Sequence, residues 1–173
     1  DAAARLGKPE DVDLGDVDAV WKANSVILYC DAAAFHEERL KAHPDWFGAS
    51  VADRLPGGLK YSGVDYARAR DRQREWTALL MRLLGDDAVL VTPTTREAAP
   101  AIGEDEGAAL SRRMSRMTAP FNAAGAPALS VPVGKVDGLP VGMQLIAAPG
   151  RESLLWEMGR RHEAMRPGES PQG

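Results

Sequence analysis

Thr118-Ala-Pro-Phe-Asn122-Ala-Ala-Gly125-Ala-Pro127-Ala-Leu-Ser130-Val-Pro132-Val-Gly134-Lys-Val-Asp137-Gly138-Leu-Pro140-Val-Gly142-Met-Gln144-Leu-Ile-Ala147 is the stretch on which the fold turns. Two short apolar runs, residues 127–133 and 141–147, read as strands. The Asp137-Gly138 step between them favours a tight hairpin turn, because both residues tolerate positive φ. Small residues at 123–128 allow backbones to approach closely, and Pro120, Pro127 and Pro132 fix the direction of the chain where a sheet begins. Gly142 inside a strand implies that another backbone or a ligand passes near it. Ser130 lies between apolar residues, where a hydroxyl usually bonds to backbone. Thr118 and Asn122 have two readings, backbone scaffolding or contact with a substrate.

Reading back towards the N-terminus, Ala88-Val-Leu-Val-Thr92 is a continuous apolar run ended by Pro93, which suits a buried strand. A loop rich in Pro, Thr and acid follows, then a helix of about ten residues ending near Thr118-Ala119-Pro120. Before the strand the pattern is helical. Val17, Val20, Trp21, Ile27, Leu28, Ala34 and Phe35 recur at three- and four-residue spacings, with Asp16 as N-cap and a stop at His43-Pro44. Pro56-Gly57-Gly58 marks a break. Ser62 or Gly63 then opens a second helix over residues 64–84, with Gly85 as its C-cap. Towards the C-terminus, a closing helix over residues 151–165 puts Leu154, Leu155, Met158 and His162 on one side. The organisation read from these signals is a linker or surface loop at 1–16, a mainly helical part at 17–85, a strand-containing core at 86–165 and a loose tail at 166–173.

The 173 residues are 45% hydrophobic and 27% charged, too apolar for a disordered segment and too charged for a membrane protein. No run approaches the roughly 20 apolar residues of a membrane span. With 21 basic and 25 acidic residues, no basic stretch is dense enough to track a phosphate backbone. Arg112-Arg113 and Arg160-Arg161 read as solvated helix faces. Cys30 is the single cysteine, which excludes a disulfide scaffold and fits a reducing compartment, the cytoplasm. No signal peptide is read at the N-terminus, and for a chain beginning with Asp rather than Met the expectation is that upstream sequence was removed or was never included.

The chemistry that residues alone carry is sparse. His36-Glu37-Glu38 lacks the second His four residues on that a helical zinc site needs, so His36 and His43 read as exposed helical histidines and no metal is expected. His162-Glu163 reads as a helix-surface pair. Neither Gly-x-Ser-x-Gly nor Ser-x-x-Lys occurs. Cys30 reads as a small packed thiol. Asp86-Asp87 and Glu104-Asp105-Glu106 read as solvated acids, and Gly57-Gly58 and Gly142 complete no phosphate-binding pattern. No catalytic residue is assigned.

The opening stretch resembles the C-terminal part of the amidase signature family, whose pattern is T-x-P-x-N-x-x-G-x-P-A-x-S-x-P-x-G, a short loop, then G-L-P-V-G-x-Q-L-I. Asp87-Ala-Val-Leu-Val-Thr-Pro93-Thr94, Ala99-Pro100-Ala-Ile-Gly103, Glu152-Ser-Leu-Leu155 and Glu163 resemble the flanking parts of that family, with Asp65-Tyr-Ala-Arg-Ala69 as a looser match upstream. The resemblance implies an α/β fold, the C-terminal part of a mixed β-sheet layered with α-helices. It also implies a parent enzyme that cleaves carboxamides with a Ser–cis-Ser–Lys triad and needs no cofactor. The Gly/Ser-rich segment bearing both serines belongs to the family's N-terminal half and has no counterpart here.

The expected function is therefore the C-terminal fragment of an amidohydrolase, inactive alone, with Thr118, Phe121 and Asn122 as substrate-binding residues. Phe121 stands where many members carry a smaller residue; it lines the pocket or simply packs. The expected partner is a small-molecule amide reached through the N-terminal part, with no nucleic acid and no membrane; a homodimer is left open. Two alternatives are carried: a non-catalytic binding or assembly module, and the ammonia-producing subunit of a tRNA-dependent glutamine amidotransferase. That subunit tends to hold an acid shortly before the T-x-P-x-N run, where this chain has Ser115.

Overall fold

The computed structural model describes residues 2–103 and 108–165. Glu104-Asp105-Glu106 and the tail at 166–173 lie outside the described residues. Helix α1 (Val17–Ala42) starts where Asp16 Oδ1 accepts a hydrogen bond from the Ala19 amide at 2.9 Å. It ends at His43, held off the helix by Pro44. Helix α2 (Ala49–Arg54) runs into a 3-10 segment, Leu55–Lys60, at the place read as a break. Helix α3 (Gly63–Leu84) opens on a reciprocal cap. The Ser62 hydroxyl donates to Asp65 at 2.7 Å and accepts from the Asp65 amide at 3.1 Å, while the Ser62 amide donates to the same carboxylate at 3.0 Å. Gly85, at φ +50°, closes α3.

Strand β1 (Leu90–Pro93) is followed by α4 (Ala108–Ser115), α5 (Ala119–Ala123), β2 (Ala128–Val136), β3 (Leu139–Ile146) and α6 (Glu152–Ala164). The expected single helix ending near Pro120 is corrected to two. Proline lacks an amide hydrogen, which costs nothing in the first turn of a helix, and Pro120 sits there in α5 rather than terminating α4. The sheet order is β1-β3-β2, antiparallel throughout among the described strands. Asp137 (φ +50°) and Gly138 (φ +80°) form the hairpin turn, both left-handed as a two-residue loop matching the strand twist requires. This is an α/β architecture, a sheet layered with helices.

The described chain falls into two units. In the first, residues 15–79, Ala23 and Ile27 of α1 meet Ala69 of α3, with Val26 and Tyr66 beside them. Gly58 sits so tightly on α1 that a Cβ there would overlap the Tyr29 carbonyl and crowd Ala33. In the second, residues 2–14 and 80–165, Val131 of β2 and Met143 and Leu145 of β3 bury one face of the sheet with Leu6, Ala147 and Leu155. Alternation along each strand sends the neighbouring residues to the opposite face.

Candidate functional site

The face turned away from α6 carries a polar row beside the apolar Leu90 and Ile146. Register places Thr92 of β1 and Ser130 of β2 on either side of Gln144 of β3, a row across the sheet. Gln144 is 3% exposed, although it stands in an otherwise apolar run. Its Nε2 donates to Met117 O at 2.7 Å and Thr92 Oγ1 at 2.9 Å, with Pro93 O at 3.3 Å. One side-chain amide thus ties the segment before α5 to the sheet. Thr94 and Ser130 share a hydrogen bond between hydroxyls of 2.7 Å. A Cβ on Gly142 would come within 2.9 Å of both oxygens, so the close approach at this glycine is made by two side-chain hydroxyls and not by the backbone or ligand expected.

Helix α5 has only five residues, too short to hold itself, so its ends decide its geometry. Thr118 is half-buried. Its carbonyl accepts from the Phe121 and Asn122 amides at 3.1 and 3.2 Å, and its hydroxyl donates to Ser115 O at 3.3 Å. Gly125 (φ +66°) ends α5, and the Ala126 amide reaches back to Phe121 O at 3.1 Å. Phe121 is 3% exposed, and Asn122 presents its side chain at the surface of this chain. The structure therefore brings Thr118, Phe121 and Asn122 onto one turn, anchored through Met117 to the polar face. Gln144 is the residue that sequence reasoning missed. Its signal was there, an amide within an apolar strand.

Nucleophile chemistry has little footing in this arrangement. The partner of Ser130 is the Thr94 hydroxyl, which lacks the basicity to draw off a proton. Cys30 donates weakly to Gly58 O at 3.6 Å, and burial, then the negative charges of Asp31 and Asp65, push its thiol above its ordinary value. Two histidine readings are corrected. His162 is 1% exposed rather than on the helix surface, its Nε2 bonded to Pro132 O at 3.0 Å, because the stripe it shares with Leu155 faces the sheet. His36 is half-buried, with Phe35 and Phe47 edge-on to its ring, and His43 caps α1 and stacks on Trp46. Among the described residues no group of three or more His, Cys, Asp or Glu is placed to hold a metal, and no helix is long and apolar enough to cross a membrane.

A hydrogen-bonded polar row beside a short Thr-Asn turn, on an antiparallel sheet layered with helices, marks an α/β protein. The Amidase family model matches residues 9–156, and the chain belongs to the amidase family. It is 34% identical over 167 residues to AtzE, the 1-carboxybiuret hydrolase subunit of Pseudomonas sp. strain ADP, covering 92% of this chain and 36% of that protein. It is 33% identical over 154 residues to a glutamyl-tRNA(Gln) amidotransferase subunit of Symbiobacterium thermophilum, covering 82% and 32%. A crystal structure of an amidase superposes with a TM-score of 0.80 at 27% identity, covering 94% of this chain and 41% of that one. The chain thus spans about a third of the length of the curated relatives it matches.

Proposed function

We propose that these residues are the C-terminal part of an amidohydrolase that cleaves the C–N bond of a carboxamide, with the Ser–cis-Ser–Lys triad outside this chain. The observation that carries the reading is the family match over residues 9–156, in a chain with neither a Gly/Ser-rich segment nor a paired nucleophile and base among its described residues. This part supplies sheet and pocket wall. Thr118 and Asn122 offer polar groups to the substrate, and Phe121 supports the turn from within. The triad attacks the amide carbonyl and expels the amine, and water then releases the acid. The enzyme acts in the cytoplasm.

The amidotransferase reading draws on the likeness to the glutamyl-tRNA(Gln) enzyme, but Ser115 spends its hydroxyl on Ser111 O at 2.8 Å and supplies no charge for the amino group of glutamine. A general amidase is the better fit. The test is ammonia release by the full-length protein from primary carboxamides and from glutamine. Turnover of simple amides, with glutamine a poor substrate, is the expected result. Turnover of glutamine alone would favour the amidotransferase, and no turnover of any amide would leave a binding module.

A further inference from the structure

The Gln144 amide is buried within β3, and its shortest bond, 2.7 Å, leaves the sheet for Met117 O. The remaining hydrogen is left for Thr92 Oγ1 at 2.9 Å and Pro93 O at 3.3 Å. Two of these acceptors are carbonyls, which can only accept, so the nitrogen and not the oxygen of the side chain faces them. The Thr92 hydroxyl donates to Pro93 O at 3.2 Å, which leaves its oxygen to receive Gln144 and fixes the direction of the whole chain of bonds.

Sheet stability covers only part of this. An apolar side chain of similar volume would fill position 144 without the cost of burying an amide. What the amide adds is direction, because it holds the carbonyl one residue before Thr118 at a set distance from β3. Downstream, the chain returns to the same strand where Ala128 pairs with Ile146. The segment between, which carries α5, is thus fastened at both ends to β3, at residues two apart on one face. With five residues α5 has little stability of its own, and the burial of Phe121 adds a contact without direction. The downstream anchor is a strand ladder that any side chains permit. The upstream anchor is a side-chain bond, and it can be removed without cutting the ladder.

We propose that Gln144 is a positioning residue for the amide substrate. Through the Met117 carbonyl it sets where Thr118 and Asn122 stand in the pocket, without touching the substrate itself. The inference rests on the amidohydrolase reading and adds to it the residue that aligns the pocket wall.

The test uses the full-length protein, a set of primary carboxamides (propionamide, hexanamide, benzamide) and Gln144→Met, which keeps an unbranched side chain and loses both donors. kcat/KM should fall about 10- to 100-fold, mainly in kcat, because a turn displaced by about 1 Å still meets the amide but misaligns its carbonyl. In an Asn122→Ala background the same substitution should cost about 3-fold or less, since a group it positions is gone. Amide hydrogen exchange should quicken over residues 117–126, where the Phe121 and Asn122 amides donate to Thr118 O, and stay unchanged in α6. Should Gln144→Met not fold, Gln144→Asn, one methylene shorter, carries the same comparisons. Unchanged kcat/KM, an equal loss in both backgrounds, or exchange that rises equally in α6 overturns the proposal. Gln144 then only holds the sheet, and the amidohydrolase reading stands. If the wild type hydrolyses none of the amides, that reading fails and the proposal falls with it.

Discussion

Gln144 divides two amide hydrogens among three acceptors; its loss takes a donor from the Met117 carbonyl, while Pro93 O keeps the Thr92 hydroxyl at 3.2 Å. Gln144→Ala is expected to lower the unfolding free energy by about 1–3 kcal/mol, read by urea denaturation. Gln144→Glu tests the same bonds through pH. Burial and facing carbonyls would raise the folded-state pKa of that carboxyl above its unfolded value, so the acid form donates and is stabilising. Stability of the variant should be full below the ordinary carboxylate range and fall as pH rises through the raised value. A loss independent of pH would contradict the bonding described. Cys30 gives a second check. With its thiol pushed up, its alkylation rate should inflect above the ordinary thiol value, and an inflection below it would mark an activated thiolate. The notion of a packed thiol was legible in the sequence, but the burial of His162 was not. Helical spacing put it in line with Leu155, yet only the sheet it faces decides that the stripe is covered.

Among the elements, helix ends were the best-read feature, because caps are chemically local. Asp16 and Gly85 act where the sequence placed them, and Ser62 caps α3 together with Asp65. The Ser62 hydroxyl, then its amide, hold the Asp65 carboxyl below its ordinary value. That contribution is present above the unfolded carboxylate pKa and is lost as pH falls through the depressed folded value. Asp65→Asn should therefore flatten the acid side of the helicity–pH curve measured by circular dichroism. An unchanged curve would show that the cap does not hold α3. α5 was not legible, since a proline reads equally as the end of one helix or the first turn of the next, and tertiary anchoring through Met117 chose between them. On the sheet, Gly142→Ala should cost about 1–3 kcal/mol by crowding Thr94 and Ser130. In a Ser130→Ala background the cost should shrink, and strict additivity would show that the hydroxyls do not make the contact.

For the molecule as a whole, the two hairpin strands and the turn between them were legible from two apolar runs and one Asp-Gly step, whereas the polar row was not. Thr92, Gln144 and Ser130 lie far apart in sequence and meet only through strand pairing. The described strands leave β1 and β2 as outer strands, and Phe35, Trp46 and Leu28 are largely exposed. On the amidohydrolase reading, these 173 residues expressed alone should bind a hydrophobic dye and aggregate, seen by fluorescence and gel filtration. A monodisperse chain that melts cooperatively would favour a self-sufficient module. Everything proposed for function depends on the turn bearing Thr118 and Asn122 forming part of an amide pocket. The decisive comparison is kcat/KM for a carboxamide in the full-length protein, wild type against Asn122→Ala, measured beside Tm. A fall of about tenfold or more with Tm little changed is expected, since Asn122 presents its side chain at the surface of this chain. Unchanged kcat/KM, or a loss that only follows a collapse in Tm, would contradict that role.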